Sequence, residues 1–254
     1  MKYYVTSDVH GFYTPLVKAL NEKGFFEDKS EHKLVICGDL FDRGKEPVEL
    51  QKFLLELMDK NELILVRGNH EDIFEDFLLK DKCYDGFGDY EENGTLRTAI
   101  QLSGYKKGTG GLTRESLCEA LLETPYHKII IPSMLNYYET EHYIFVHGWY
   151  PCKSSMYIHP RVKRYFPDPD WRNASEDQWK DARWYNGMDA AQDKTEEKTV
   201  FCGHRTASYG HAMYEHRNPA IEGYDYTPYY GPGVIAVDAC TVKSGFVNVV
   251  VVED

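Results

Sequence analysis

Val35-Ile36-Cys37-Gly38-Asp39-Leu40-Phe41-Asp42-Arg43-Gly44 is an apolar strand that runs straight into charge. Leu34 to Cys37 has the length and composition of a short buried strand, and it stops at a glycine followed by two carboxylates and an arginine. At the carboxyl edge of an α/β sheet, where ligands bind, Asp39, Asp42 and Arg43 would project together into one crevice. The same pattern recurs along the chain. Lys2 to Thr6 runs into Ser7-Asp8-Val9-His10-Gly11, and Leu63 to Val66 into Arg67-Gly68-Asn69-His70-Glu71. Tyr143 to Val146 delivers His147-Gly148-Trp149, and Thr199 to Cys202 delivers Gly203-His204-Arg205. Asp8 and His10 lie two apart, so on an extended backbone they point to one side and both reach one ion.

Between these strand ends the period changes. Pro15, Leu16, Val17 and Leu20 read as an amphipathic helix ending near Gly24, and Pro47 opens a second with Val48, Leu50, Phe53, Leu54 and Leu57 as its buried stripe. A third spans Ile73 to Leu79. Three successive βα units predict a largely parallel sheet with right-handed crossovers. Residues 80–125 lose the strand rhythm: Gly86, Gly88, Gly94, Gly104, Gly108, Gly110 and Gly111 break up helical patterns at Thr95 to Leu102 and Thr113 to Leu122. They read as a mostly helical insertion or lid, with Asp85 to Glu92 a solvated loop. A second sheet is expected from Ile129–Ile131, Met134–Glu139 and Tyr143–Val146, closed by a hairpin of Val234–Asp238 with Phe246–Val252. Residues 150–198 are a polar insertion with a helix from Ser175 to Tyr185. The class is α/β, as a single domain over residues 1–254.

The formal net charge of −12 leaves no excess of Lys and Arg to displace counterions, which excludes non-specific binding to nucleic acid or anionic membrane. No apolar run is long enough to span a bilayer, and Met1 enters a strand directly, so a soluble, cytoplasmic protein is expected. The six cysteines are scattered without a C-x-x-C pair and read as reduced core residues.

Asp8, His10, Asp39, Asn69, His147 and His204 gather at strand ends, and this mixture of oxygen and imidazole donors suits first-row divalent metals. A carboxylate has two oxygens, so the expected arrangement puts Asp8, His10 and Asp39 on one ion and Asp39, Asn69, His147 and His204 on another. Two ions about 3.5–4 Å apart lower the pKa of a bridging water and clamp phosphoryl oxygens for in-line displacement. Taken singly, each residue is also an ordinary turn or surface residue; it is the ordered recurrence that points to metal.

Asp8-x-His10-Gly11, Gly38-Asp39-x-x-Asp42-Arg43-Gly44, Gly68-Asn69-His70-Glu71, His147-Gly148 and Gly203-His204 together resemble the ordered signature of the calcineurin-like metallophosphoesterases. The Asp42-Arg43-Gly44 and Asn69-His70-Glu71 forms are similar to the phosphoprotein phosphatase branch, and the tail resembles bacterial protein phosphatases and diadenosine tetraphosphate hydrolases. The resemblance implies a four-layer α/β/β/α sandwich with two divalent ions at the sheet ends, manganese foremost, with iron, zinc, nickel or cobalt as alternatives. It implies direct attack of a metal-bridging hydroxide on a phosphomonoester, with His70 as general acid, Asp42 orienting it and Arg43 clamping phosphoryl oxygens. Arg183, Arg205 and Trp149 are further candidates for contact with the substrate. The expected substrate is a phosphorylated protein or small phosphoester; the alternatives are a dinucleoside polyphosphate and a non-catalytic binding scaffold. Ser7 and Trp149 stand where glycines are usual, and Asn186 takes the offset of a second phosphate-binding arginine.

Overall fold

Strands buried on both faces require a layer on each side, and the first strands of this chain are of that kind. In the computed structural model, which describes residues 1–79, 88–105, 112–160 and 162–254, β1 (Lys2–Thr6) turns Tyr4 into one apolar cluster and Tyr3 and Val5 into another. β2 (His32–Cys37) and β3 (Leu63–Val66) pair parallel beside it, with Val5 opposite Val35 and Val35 opposite Ile64. The connections are α1 (Tyr13–Glu22) and α2 (Pro47–Asp59), and α3 (Asn69–Leu79) follows β3 directly. Leu16, Leu20, Leu50 and Leu54 are fully buried against Ile36 and Leu65, forming the first outer layer; each such side chain contributes about 1.5–3 kcal/mol.

The second sheet begins with β4 (Tyr138–Glu139) and β5 (Tyr143–Phe145). A hairpin of β6 (Cys152–His159) and β7 (Val162–Pro167) stands apart as its own two-stranded sheet. β8 (Thr199–Cys202), β9 (Tyr229–Gly231) and β10 (Val234–Ala236) complete the second sheet in the order β4-β5-β8-β10-β9. Its inner face, Phe145, Phe201 and Val237, packs on Val5, Val35 and Val66 of the first, and the Phe145 and Phe201 rings stack at 5.2 Å. Its outer face carries Trp149, Trp171 and Trp179. The result is four layers, α/β/β/α, and β1, β2, β3, β5 and β8 bring their carboxyl ends, the quoted strand ends, to one edge.

Several expectations differ from the structure. The last strand, β11 (Val250–Glu253), pairs antiparallel with β1 in the first sheet and makes no hairpin with β10. After β10 the chain turns at Cys240 (φ 48°), makes a helical turn at Thr241–Ser244 and turns again at Gly245 (φ 75°), which carries it across to the free edge of β1. Ile129–Ile131 is helical, within Tyr126–Ile130 and Ile131–Ser133, because Tyr126, Ile130 and Ile131 bury one face while Ile129 stays exposed. Met134–Glu139 contributes only the two-residue β4 and an isolated bridge from Leu135 to Val66. The 150–198 segment contains the β6–β7 hairpin besides its helix, Glu176–Ala182, which Ser175 caps reciprocally with Gln178.

Helices Thr95–Leu102 and Arg114–Leu122 lie where the pattern put them, the second capped by Thr113 with Ser116. Gly88–Asn93 is helical where a loop was expected; Gly86, Gly108, Gly110, Gly111 and the start of the acidic segment lie outside the described residues. The five described cysteines are free, with Cys37, Cys152 and Cys202 buried. Among the described residues no helix is long and apolar enough to cross a membrane.

Arg172 fastens the polar segment to the edge of the second sheet. Its Nε and Nη2 donate to Glu139 at 2.9 and 2.6 Å, and its Nη1 donates to Glu196 at 2.9 Å. The Arg172 guanidinium, aided by Lys198, holds the Glu139 carboxyl down at about 2. A folded-state pKa below the unfolded one stabilises above the ordinary value and loses that stabilisation as pH falls through the folded value. The urea midpoints of the protein and of Arg172→Leu are therefore expected to converge as pH falls from about 5 toward about 2. A gap that stays constant over that range would assign Arg172 to packing alone.

Candidate metal centre

Three of the five strand ends, those of β1, β2 and β8, turn through left-handed residues at the sheet edge. Asp8, His10, Asp39, Asp42, Arg43 and His204 all have left-handed backbones, with φ between 49° and 73°. Such conformations cost about 1–3 kcal/mol each and persist only where surroundings over-determine them. Here the first two loops are laced together: Asp8 N–H donates to Gly38 O (3.1 Å), His10 N–H to Asp39 O (2.9 Å) and Gly44 N–H to His10 O (2.8 Å). Asp8 and His10 thus converge through left-handed turns and not, as expected, through alternation on an extended strand. Gly38 shows why no side chain fits at the β2 turn. Its φ is 81°, and a Cβ there would lie 2.5 Å from His147 Nδ1 and 2.6 Å from Gly68 Cα.

Asp39 stands at the middle. Its Oδ2 lies 3.7 Å from His10 Nε2, and its Oδ1 lies 3.3 Å from His147 Nε2 while accepting the His70 backbone N–H at 3.0 Å. The two oxygens face different imidazoles, as a bridging carboxylate must. Asp8 Oδ1 lies 3.9 Å from His10 Nε2, and its Oδ2 accepts from Ser7 Oγ (2.6 Å) and His204 N–H (2.9 Å). Asn69 Oδ1 lies 2.8 Å from His147 Nε2 and 3.0 Å from His204 Nδ1. All six residues expected as ligands are thus brought together, and all but His204 are buried. Two triads, Asp8 with Asp39 and His147, and His10 with Asp39 and His70, hold donor atoms close enough for a shared ion.

Hydrogen bonding fixes the rings in the tautomer a ligand needs. His10 Nδ1–H donates to Phe41 O (2.8 Å) and His147 Nδ1–H to Cys37 O (2.7 Å), leaving a lone pair on each Nε2. The His147 lone pair then meets Asp39 Oδ1 and Asn69 Oδ1, two further acceptors. Acceptors turned on one another at these distances need a proton or a cation between them. Burial lowers His10 to about 3 and His204 to about 3, keeping both rings neutral. Asp8 is pushed well up by burial and by the neighbouring Asp238 and Asp39 charges. Burial also raises Asp39, but His147, His70 and His10 outweigh it and hold its carboxyl low. Neutral imidazoles, an amide oxygen and crowded buried carboxylates are the donor set of first-row divalent cations, so the residues present fit such ions.

Beside the cage lies an acid–orienter pair. His70 Nδ1–H donates to Asp42 Oδ2 at 2.7 Å, and burial of the ring is outweighed by the Asp39 and Asp42 charges, so its pKa is raised. Thr95 Oγ1–H donates to the same Asp42 oxygen (2.8 Å), and Thr98 Oγ1 accepts the Asp42 N–H (3.0 Å). The Thr95–Leu102 helix of the insertion thus braces the pair. Arg43 donates from Nη1 to His10 Nε2 (2.6 Å) and from Nη2 to His70 Nε2 (2.9 Å).

Two substrate-contact candidates lie elsewhere. Trp149 is buried in the outer core, stacked on Tyr150 at 4.9 Å. Arg183 is 1% exposed, and its guanidinium donates to Asp72 (2.9 and 2.8 Å), Glu176 (2.7 Å) and Asn136. Both terminal nitrogens are thus engaged within the fold, the buried Nε has no partner among the described residues, and Arg67 holds the same Asp72 at 2.8 Å. Arg205 is exposed beside His204.

Two site residues escaped the sequence reading. Glu71, fully buried, clamps the turns: its Oε2 accepts from Asp39 N–H (3.0 Å) and Gly68 N–H (2.8 Å), and its Oε1 from Leu40 N–H (2.9 Å). A carboxylate one residue after His70 gave no sign of reaching back to another loop. Asp238 is 7% exposed, near enough to raise Asp8, and is itself raised to about 6 by burial and the Asp39 charge. It follows the apolar run Val234 to Val237, the same signal that found Asp39.

The chain belongs to the calcineurin-like phosphoesterase family, whose description matches residues 1–237. Over 71 residues it is 41% identical to a symmetrical bis(5'-nucleosyl)-tetraphosphatase of Buchnera aphidicola, covering 28% of this chain and 24% of that protein. Over 77 residues it is 36% identical to the asymmetrical bis(5'-nucleosyl)-tetraphosphatase PrpE of Bacillus velezensis, covering 28% of this chain and 30% of that one. The matched stretch is thus about a quarter to a third of these curated relatives. Among solved structures, the cold-active protein-tyrosine phosphatase of a psychrophilic Shewanella superposes with a TM-score of 0.54 at 17% identity, over 100% of this chain and 75% of that one. That likeness is one of fold.

Proposed function

We propose that the protein is a dimetal phosphoester hydrolase. Asp8, His10 and Asp39 would hold one divalent ion, and Asp39, Asn69, His147 and His204 the second. Ions bound there supply an activated water and offset negative charge on the phosphoryl group. The remaining work falls to this chain's own residues. Arg43 offers a planar fork that matches two phosphoryl oxygens and, turning to them, frees His70 Nε2. His70, its proton affinity raised by Asp39 and Asp42, delivers a proton from Nε2 to the leaving oxygen. The Asp42–His70 bond, braced by Thr95, carries this reading, because an acid is needed where a poorly leaving alkoxide departs. It favours a phosphomonoester, including a phosphorylated Ser or Thr side chain. A second reading, cleavage of the phosphoanhydride of a dinucleoside polyphosphate, is supported by the names of the curated relatives.

The experiment is hydrolysis of an aryl phosphate, a phosphoserine peptide and diadenosine tetraphosphate, each with added Mn²⁺ and after chelation. Activity on at least one, lost on chelation and restored by Mn²⁺, is the expected result; failure on all with metal bound would favour a binding scaffold. Added Mn²⁺ is also expected to raise the melting temperature, since a ligand binding only the folded state at about 100 times its Kd stabilises by about 2.7 kcal/mol. In ¹⁸O-labelled water a single turnover should place label directly in the phosphate. A trapped phosphoenzyme would contradict direct attack by water.

A further inference from the structure

Next to the metal centre, between the β6–β7 hairpin and the His204 turn, lies a cavity of about 500 Å³ that the proposed chemistry does not use. Tyr157, Lys163, Trp184 and Arg205 line it together with His204, so it opens beside a metal-ligand candidate. Lys163 Nζ is held among the rings of Tyr157, Tyr165 and Tyr185, at 5.4, 5.3 and 5.8 Å from their centroids. Neither its ammonium nor the Arg205 guanidinium has an ion pair or hydrogen bond with any described residue. Asp189 is the one carboxylate in the lining; it is 3% exposed and accepts from the Tyr209 (2.8 Å) and Tyr214 (2.7 Å) hydroxyls and the Lys163 backbone N–H (3.2 Å). It is committed to those donors, and the two cations are left for a ligand.

Trp184 is 55% exposed, and its ring meets that of His204 edge-on at 5.5 Å. Tyr157 is 68% exposed on the hairpin. In a chain with three other tryptophans packed in its core, an indole presented at the mouth of the site is the informative exception. Exposed aromatic faces stack on nucleobases, and free cations beside them take phosphate.

We propose that this cavity is a nucleotide subsite: Lys163 and Arg205 bind a non-scissile phosphate of a nucleoside polyphosphate while Trp184 stacks on its base. This deepens the dinucleoside polyphosphate reading and rests on it. The hairpin that supplies Lys163 is then a specificity element, selecting substrates whose leaving group carries further phosphate and a ring. A phosphoserine peptide presents neither.

The test follows Trp184 fluorescence in the full chain as ADP, adenosine and inorganic phosphate are titrated. ADP is expected to quench it and to bind more tightly than either part alone. Lys163→Met keeps the stem in its tyrosine cage but removes the charge, and is expected to weaken ADP about tenfold or more, as befits one charge-assisted hydrogen bond. Lys163→Arg should restore most of that loss, and Trp184→Leu should abolish the quenching. In turnover, Lys163→Met should raise KM for diadenosine tetraphosphate by a similar factor and kcat should change far less. Unchanged ADP affinity in Lys163→Met, or an equal rise of KM for a phosphoserine peptide, would overturn the subsite. If the unaltered protein with Mn²⁺ hydrolyses none of the aryl phosphate, the phosphoserine peptide and diadenosine tetraphosphate, the reading of the metal centre falls, and the ADP titration still decides the cavity.

Discussion

Replacing His70 by Asn is expected to lower kcat for an alkyl phosphate by about 10²–10⁴, the range a positioned general acid supplies. The same change should cost much less on an aryl phosphate or a phosphoanhydride, whose leaving oxygens depart without a proton. Bound metal should be unchanged, because in this structure His70 is engaged with Asp42 at Nδ1 and Arg43 at Nε2 while six other residues form the proposed cage. Elemental analysis of the variant and a plot of log kcat against leaving-group pKa decide the point. Equal losses on good and poor leaving groups, or loss of metal, would reject the acid role and make His70 a ligand beside His10 and Asp39.

Arg183→Leu should act on stability and leave substrate binding alone. Breaking a buried ion pair from one side costs about 3–5 kcal/mol, and the lower end, about 3, applies because Arg67 still holds Asp72 and Glu176 is half exposed. At about 2–4 °C per kcal/mol for a chain of this size, melting should fall by roughly 6–12 °C. KM for a phosphate ester measured well below the melting point should not move. A variant of normal stability with raised KM would return Arg183 to the substrate site. The network it belongs to joins α3 to the Glu176–Ala182 helix, so its loss also loosens the packing of that helix end against Gly148, where a Cβ would lie 2.5 Å from Ala182 O.

The residues of the proposed cage, which the fold brings together, could be named from the amino-acid order alone. A core strand that runs straight into Asp, Asn or His leaves little choice of where the polar side chain goes, and repetition of that local rule names Asp8, Asp39, Asn69, His147 and His204. The three βα units were legible for the same reason: their periods are short and each unit closes on its neighbour.

What the chain order did not show depends on partners far apart in sequence. The three isoleucines at 129–131 fit a strand by composition, yet their helical burial is set by what packs on Tyr126 and Ile130. Val250 to Glu253 reads equally well as the last strand of either sheet, and only the open edge of β1 decides. Arg183 and Arg205 look alike as isolated charges. Asp72, 111 residues away, makes the first structural, whereas the second lines the mouth of a cavity with no hydrogen-bond or ion-pair partner among the described residues. A local pattern states which side chain a strand end presents; whether a charge is satisfied inside the fold or left for a ligand is a property of the whole packing, because ion pairing and burial act through space and not along the chain.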